Sequence, residues 1–435
     1  MHNVPYTRQG AIENEPGHMS ASNPAMTRRG FLQGVAGVAL AAGAGALAAA
    51  ASPLCGPEEA RQAWAADEPD TLSVSQDQVF TTDDCEYVDD LGSKLTMVSQ
   101  ASLPYGTLVW ADDDNVACCL LPCETSDPLV QVGMLSLARG ELSTVIDKAA
   151  GASEGFQIFD ARLNSTGAAW VEADILNGKW RVYTARISGG SVLSPQVATE
   201  GTSEWETPSI AVSGGFAFWQ LMPVKDGPAS EENSLLMRVP FGAGSSEAKT
   251  VLESEGRFAC PLASTASGVA AAPRANAKGV YYELTHVDAD SGQLTDTLIL
   301  PASMKPTYVS YGDTGFSFAF EDIYAYGDGI SNLGTYTPAD GDVGGSWLRF
   351  ARTPFAPAAW SDGLTFVKST GVVAAIDAAG RRYYTIQPEN ANQGYGEFLA
   401  SSGSRQRIVT YSNVDYTPLN KARIVECNVR IWDVR

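Results

Sequence analysis

A strand, a tight polar turn and a second, very apolar strand recur along this sequence at intervals of about 50 residues. The clearest copy is residues 208–213, the pair Gly214-Gly215, and residues 216–219 with Phe216, Phe218 and Trp219. Paired glycines suit the positive φ of a hairpin turn. Similar pairs run over 156–163 with 168–171, 307–311 with 316–320, and 358–360 with 364–367. Weaker copies centre on Trp110, on residues 268–271 and on residues 408–410. With Trp110, Trp170, Trp219, Ala270, Phe318, Phe366 and Val409 taken as equivalent, the spacings are 60, 49, 51, 48, 48 and 43. No long stretch keeps a 3.6-residue apolar period, so the chain is expected to be all-β. A repeat of this length fits one four-stranded blade, and seven copies predict a seven-bladed β-propeller. A β-sandwich followed by a second β domain is the competing arrangement, and six or eight units would also serve.

A ring of blades must close. The last unit offers one strand after Val409, over residues 422–434, and so lacks its outermost member. Residues 71–80 alternate well enough to supply it. The expectation is therefore a propeller closed by an N-terminal strand, which hides both free sheet edges. The copies resemble the loosely conserved hairpins of TolB-like and other bacterial propellers over most of residues 71–435. No WD dipeptide series of the WD40 or YVTN kind, kelch diglycine or quinoprotein tryptophan motif repeats; Trp432-Asp433 occurs once.

Upstream of the repeats, Thr27-Arg28-Arg29-Gly30-Phe31-Leu32-Gln33 precedes a run over 34–51 made of Gly, Ala, Val and Leu, followed by Ala63-Trp64-Ala65. The motif resembles a twin-arginine signal, Ser/Thr-Arg-Arg-x-Phe-Leu-Lys, with Gln33 at the last position. Arg28, Arg29, Phe31 and Leu32 carry the match. Such signals are receptor-read addresses. The resemblance implies a signal peptide over 1–65, a propeller domain over 66–435, engagement of the twin-arginine export machinery, and translocation of a folded chain. The expected location is secreted, cell-surface or periplasmic, with no stable membrane anchor after cleavage.

With 29 Lys and Arg against 50 Asp and Glu, the net charge of −21 argues against a nucleic-acid partner, whose phosphates need a basic surface. Of three histidines, His286 alone lies beyond the leader; it precedes a hairpin turn and is expected on a middle or outer strand, away from the axis. Six cysteines, Cys85, Cys118, Cys119, Cys123, Cys260 and Cys427, permit up to three disulfides in pairings that spacing does not decide. The acidic clusters at Asp83-Asp84, Asp89-Asp90 and residues 112–115 lack the spaced ligands of a calcium loop and read as solvated turns. No cofactor or metal motif is visible. Ser361-Asp362-Gly363 resembles one partial Asp-box turn of sialidase propellers, without the usual tryptophan.

In a propeller the connections from each outer strand to the next inner strand gather on one face with the loops joining the middle strands. That face is the expected ligand site. It would carry Glu204, Trp205 and Glu206, then Arg257, the middle loop with Glu321, Asp322, Tyr324 and Tyr326, and finally Tyr395. Aromatic faces beside carboxylates suit a small molecule, a glycan, a peptide or another protein, by stacking and charge-assisted hydrogen bonds. The expected function is an exported, non-enzymatic binding platform. The alternative is a glycan or peptide hydrolase or lyase using carboxylates at the channel mouth.

Overall fold

The computed structural model describes residues 68–125, 127–312, 314–320, 330, 334–338, 345–350, 354–389 and 396–435. Among these residues β-strands dominate and helix is confined to short 3-10 turns. Six sheets each contain a run of four consecutive antiparallel strands, two of them with short parallel strands added, and form blades 1 to 6 of a β-propeller. Blade 1 comprises Leu108–Trp110, Val116–Pro122, Val130–Ser136 and Leu142–Ile146. Blade 2 comprises Gln157–Leu163, Gly167–Asp174, Lys179–Ser188 and Ser191–Gly201. Blade 3 follows with Ile210–Ser213, Phe216–Leu221, Ser234–Pro240 and Lys249–Ser254, and blade 4 with Ala263–Ser264, Gly268–Ala271, Glu283–Asp288 and Leu294–Ile299. Blade 5 holds Pro306–Gly312, Gly315–Phe320, Gly334–Thr337 and Ser346–Arg349, and blade 6 holds Ala359–Ser361, Leu364–Lys368, Val373–Asp377 and Arg382–Ile386.

The last sheet differs in kind. Phe398–Leu399, Arg407–Tyr416 and Ile424–Val434 come from the C-terminal end, and Leu95–Leu103 completes them from the N-terminal side. The expected seven equivalent blades thus become six continuous ones and a composite closing sheet. One repeat was also placed on the wrong strand. Trp110 lies on the first strand of blade 1, and the fourth residue of its second strand is Cys119, 51 residues before Trp170. The anomalous first spacing of 60 arises from choosing the conspicuous indole over a run of small thiols and leucines.

The second strands explain why the repeat is visible at all. Gly167–Asp174 and Leu364–Lys368 are buried at every position, so both faces of the strand must be apolar or internally satisfied. Each apolar cluster lies between two neighbouring sheets. Ala169, Val171 and Trp180 of blade 2 meet Ile210, Val212 and Trp219 of blade 3, for example. Ala101, Leu103, Val409, Val429 and Ile431 of the closing sheet meet Val109, Ala117, Cys119 and Leu121 of blade 1, which joins the end of the ring to its beginning.

Closure uses the N-terminal side of the chain, but residues 71–80 do not supply it. Leu95–Leu103 pairs antiparallel with Ile424–Val434, with Leu95 opposite Val434 and Leu103 opposite Cys427. Nine residues, with Leu95, Ala101 and Leu103 buried, can follow the long last strand. The 71–80 stretch cannot, because Ser75 and Gln78 close a capping box around a 3-10 turn at Gln76–Gln78. Only Val79–Thr81 is left to pair, and it does so parallel to Trp347, Leu348 and Arg349 on the outer edge of blade 5. Glu86–Tyr87 then pairs parallel with Arg382 and Tyr383 on blade 6. The segment before the closing strand is therefore a strap along three sheets, starting where Leu72 N donates to Ile299 O of blade 4 at 2.8 Å. It covers edges that would otherwise template strand addition.

Cys85, Cys119, Cys123 and Cys427 are thiols, so the three-bridge framework that six cysteines permit is not formed. Burial pushes the Cys119 thiol well up and the Cys427 thiol to about 12, which makes both inert. Residues 28, 29, 31 and 32 of the twin-arginine motif lie outside the described residues.

Candidate functional site

The connections between the first and second strands and between the third and fourth strands of each antiparallel blade lie on one face, here the turn face; those between the middle strands and from one blade to the next form the loop face. At the turn face neighbouring blades are tied by hydrogen bonds. Ser165 Oγ of blade 2 donates to Asp113 Oδ2 of blade 1 at 2.7 Å, and Asn164 Nδ2 donates to Gly214 O of blade 3 at 2.8 Å. Ser213 Oγ donates to Thr265 O of blade 4 at 3.3 Å. Gln406 N of the closing sheet donates to Asp114 Oδ1 of blade 1 at 2.9 Å. Gly214 has φ +54, as the expected glycine hairpin requires. Asp113 and Asp114, expected as solvated turn residues, are thus latches. Although burial pushes the Asp113 carboxyl up, donors from Ser165, Asn115 and Val116 hold it below the usual carboxylate value.

The segment between the first two strands of the closing sheet crosses the axis. Ser401 bridges Ala111 of blade 1, and Ser402 Oγ donates to Ser264 O of blade 4 at 2.9 Å. Gly403 N donates to Ser310 Oγ of blade 5 at 3.0 Å, and Arg405 N donates to Trp360 O of blade 6 at 2.9 Å. Gly403 has φ +70, and a Cβ there would lie 3.1 Å from both Thr265 Cα and Tyr311 O. No larger residue would let the chain pass so close to two blades.

Two adjoining concavities open on this face. The larger, of about 620 Å³, takes Trp360, Asp362 and Thr365 from blade 6, Thr314 and Thr337 from blade 5, and Gln406 from the closing sheet. The smaller, of about 290 Å³, is lined by Asp112, Asp113, Asn164, Thr166, Ser213 and Thr265. Asp114, Ala266 and Arg405 belong to both. Beneath them Arg162 donates to Asp160 at 2.5 Å and stacks its guanidinium 3.9 Å above the Trp110 ring. Burial pushes the Asp112 carboxyl up, against the pull of Arg162 and Arg405. Burial also lowers the Arg405 guanidinium, against the pull of Asp112, Asp114 and Asp113.

Of the residues expected to form the site, Glu204, Trp205, Glu206 and Arg257 do sit on loop-face connections. Arg257 Nη2 and Glu206 Oε1 are 2.5 Å apart, and Arg257 Nη1 also donates to Pro223 O. Trp205 packs against the apolar cluster between blades 2 and 3, and its carbonyl accepts from Trp180 Nε1 at 3.2 Å. Glu204 is exposed. Glu321, Asp322, Tyr324, Tyr326 and Tyr395 lie outside the described residues. His286 lies on the third strand of blade 4, stacked on Tyr311 at 4.1 Å, with Thr265 Oγ1 3.0 Å from Nε2 and Thr295 Oγ1 2.6 Å from Nδ1. Burial lowers its pKa.

Sequence reasoning missed a buried charge cluster where blade 6 meets the closing sheet. Arg430 grips Glu397, Nε to Oε1 at 3.3 Å and Nη2 to Oε2 at 2.7 Å. Lys368 Nζ donates to Thr370 O at 2.9 Å beside them, 5.2 Å from the Phe398 ring centre. Burial pushes the Glu397 carboxyl up and brings the Lys368 amine down to about 8. Because the folded amine titrates below its ordinary 10.5, the native state binds fewer protons than the unfolded chain between those values. Stability is expected to rise as pH climbs through that window. Urea midpoints at pH 7.5 and pH 10 should show a rise in the native protein that Lys368→Met lacks; equal rises in both would contradict the assignment.

No family model and no curated protein sequence matches the chain. Solved structures similar to it include an oligogalacturonate lyase in complex with manganese, at 10% identity and a TM-score of 0.44, covering 85% of this chain and 98% of that one. Prolyl endopeptidases match at 9% identity and a TM-score of 0.46, over 76% of this chain and 47% of theirs, so the likeness spans about half their length. The β-propeller domain of the trilobed protease from Pyrococcus furiosus matches at 11% identity and a TM-score of 0.33, covering 62% and 95%. The propeller architecture stands on the chain's own sheets and on the way each packs against the next.

Proposed function

We propose that this protein is an exported binding propeller, with the closing sheet serving as its seventh blade and the turn-face concavities as its ligand site. The observation that carries this is the 620 Å³ cavity, because three sheets contribute an indole, a carboxylate, hydroxyls and an amide to one hollow. Export rests on the twin-arginine motif at Arg28 and Arg29. It is supported by a fold that does not wait for a three-disulfide framework and can finish before translocation.

Hydrolysis by paired carboxylates would need an acid with a raised pKa facing the cavity. Burial pushes the Asp112 carboxyl up, but Arg162 and Arg405 beside it favour the ionised form, which accepts hydrogen bonds rather than delivering a proton. That favours binding over glycan or peptide cleavage. The loop face is the second candidate surface, because Glu204 is exposed beside the Glu206–Arg257 pair.

A thermal-shift screen with free amino acids, short peptides and oligosaccharides tests the choice. A ligand at about 100 times its Kd adds about 2.7 kcal/mol and raises the melting temperature. The shift is expected to vanish in Ala266→Trp, which fills both hollows from an exposed turn position, and to survive Glu204→Arg. The reverse pattern would move the site to the loop face.

A further inference from the structure

Two charged side chains at the turn face are buried, each with one buried polar atom that has no hydrogen-bond partner among the described residues. Asp112 and Arg405 are 8% and 7% exposed, and both line the smaller hollow. The Ser264 side chain hydrogen-bonds the Asp112 carboxyl, but among the described residues no group donates to Oδ2, and Arg162 Nε, 3.9 Å away, is beyond hydrogen-bond reach. Arg405 directs Nε to Ser402 O at 2.9 Å, while Nη2 finds no acceptor among the described residues. A buried acceptor and a buried donor, both charged, therefore lack partners at one place, and buried polar groups are as a rule satisfied.

The surroundings narrow what could complete them. A simple anion on Arg405 would meet Asp113 and Asp114 beside it, both of which act on that guanidinium. A simple cation on Asp112 would leave Arg405 without its acceptor. A neutral polyol offers donors and acceptors, but charge-assisted hydrogen bonds are roughly twice as strong as neutral ones. Asp113 is already occupied by Ser165, Asn115 and Val116. We infer that the turn face takes a small zwitterion carrying one ammonium and one carboxylate a few bonds apart, as in a free α-amino acid, its ammonium on Asp112 and its carboxylate on Arg405. This rests on the turn face being the ligand site. The 290 Å³ hollow holds the charged head, and the ligand's side chain passes over Ala266 into the larger cavity beside Trp360.

Isothermal titration of the whole protein with each of the twenty free L-amino acids tests this, followed by the N-acetyl and C-amide forms of the tightest binder. At least one free amino acid is expected to bind. Blocking either end should weaken binding at least tenfold, and these changes leave the protein untouched, so folding does not enter. Asp112→Asn should weaken the free form and spare the N-acetyl form's residual binding. Equal affinity for free and blocked forms overturns the inference. If no amino acid binds while an oligosaccharide does, and Ala266→Trp abolishes that binding, the inference falls and the turn-face site stands. If an amino acid binds and Ala266→Trp leaves its affinity unchanged, the turn-face site falls and this inference falls with it.

Discussion

Removing the chain up to residue 103 is expected to abolish cooperative folding, whereas removing it only up to residue 94 should leave a folded but self-associating protein. The two cuts differ by one strand. Leu95–Leu103 covers the full length of the last strand, from Val434 to Cys427, and contributes Leu95, Ala101 and Leu103 to buried clusters on both sides of the closing sheet. Without it that sheet keeps three strands and an open edge, and its junctions with blade 1 and blade 6 lose their outer cover. The shorter cut removes Val74 and Phe80, each 2% exposed, and uncovers the edges of Ser346–Arg349 and Arg382–Ile386. Loss of a buried Phe alone costs about 3–5 kcal/mol, and bared edges invite strand pairing between molecules. Light scattering and urea unfolding distinguish the outcomes. A monomeric, fully cooperative protein after the shorter cut would show the strap to be dispensable.

Arg430→Met is the second large effect, expected to cost about 3–5 kcal/mol because it strands a fully buried carboxylate. Glu397 is 0% exposed, and Arg430 donates to its Oε1 and holds Nη2 2.7 Å from its Oε2. The double replacement Arg430→Met with Glu397→Leu should recover most of the loss, since an apolar pair of similar volume fills the space without a charge. The deficit also has a pH signature. The folded Glu397 carboxyl lies above its ordinary 4.5, so the native state binds more protons just above that value and stability falls as pH rises through the folded pKa. Removing the pull of Arg430 raises that carboxyl further, so the single variant should compare best with the native protein below about pH 4.5 and worst at neutrality. Urea midpoints across that range measure it. A deficit independent of pH would mean that lost packing, rather than the stranded charge, dominates.

The repeat was legible because the second strand of each blade is buried on both faces and must be written in apolar letters, as Phe216–Leu221 and Leu364–Lys368 show. Closure was legible in kind but not in register. Residues 71–80 and 95–103 both alternate, and choosing between them requires knowing that Ser75 and Gln78 fold the first into a 3-10 turn. The turn-face hollows were not legible, since concavity depends on how turns from six blades and the closing sheet meet at the axis. Asp113 and Asp114 looked like a solvated turn because their hydrogen-bond partners, Ser165 and Gln406, lie far along the chain or on another blade, as does Arg405, whose charge acts on Asp112. Lys368, Glu397 and Arg430 escaped notice for the same reason, scattered singly over two sheets.

Ser401 to Arg405, anchored to blades 1, 4, 5 and 6, lays backbone across the hub of this wheel. Among the described residues, that segment stands at the hub between the loop side and the turn side. The two faces lie on opposite sides of it, and a partner docked on one could hold the protein in place while the other stays open to solvent.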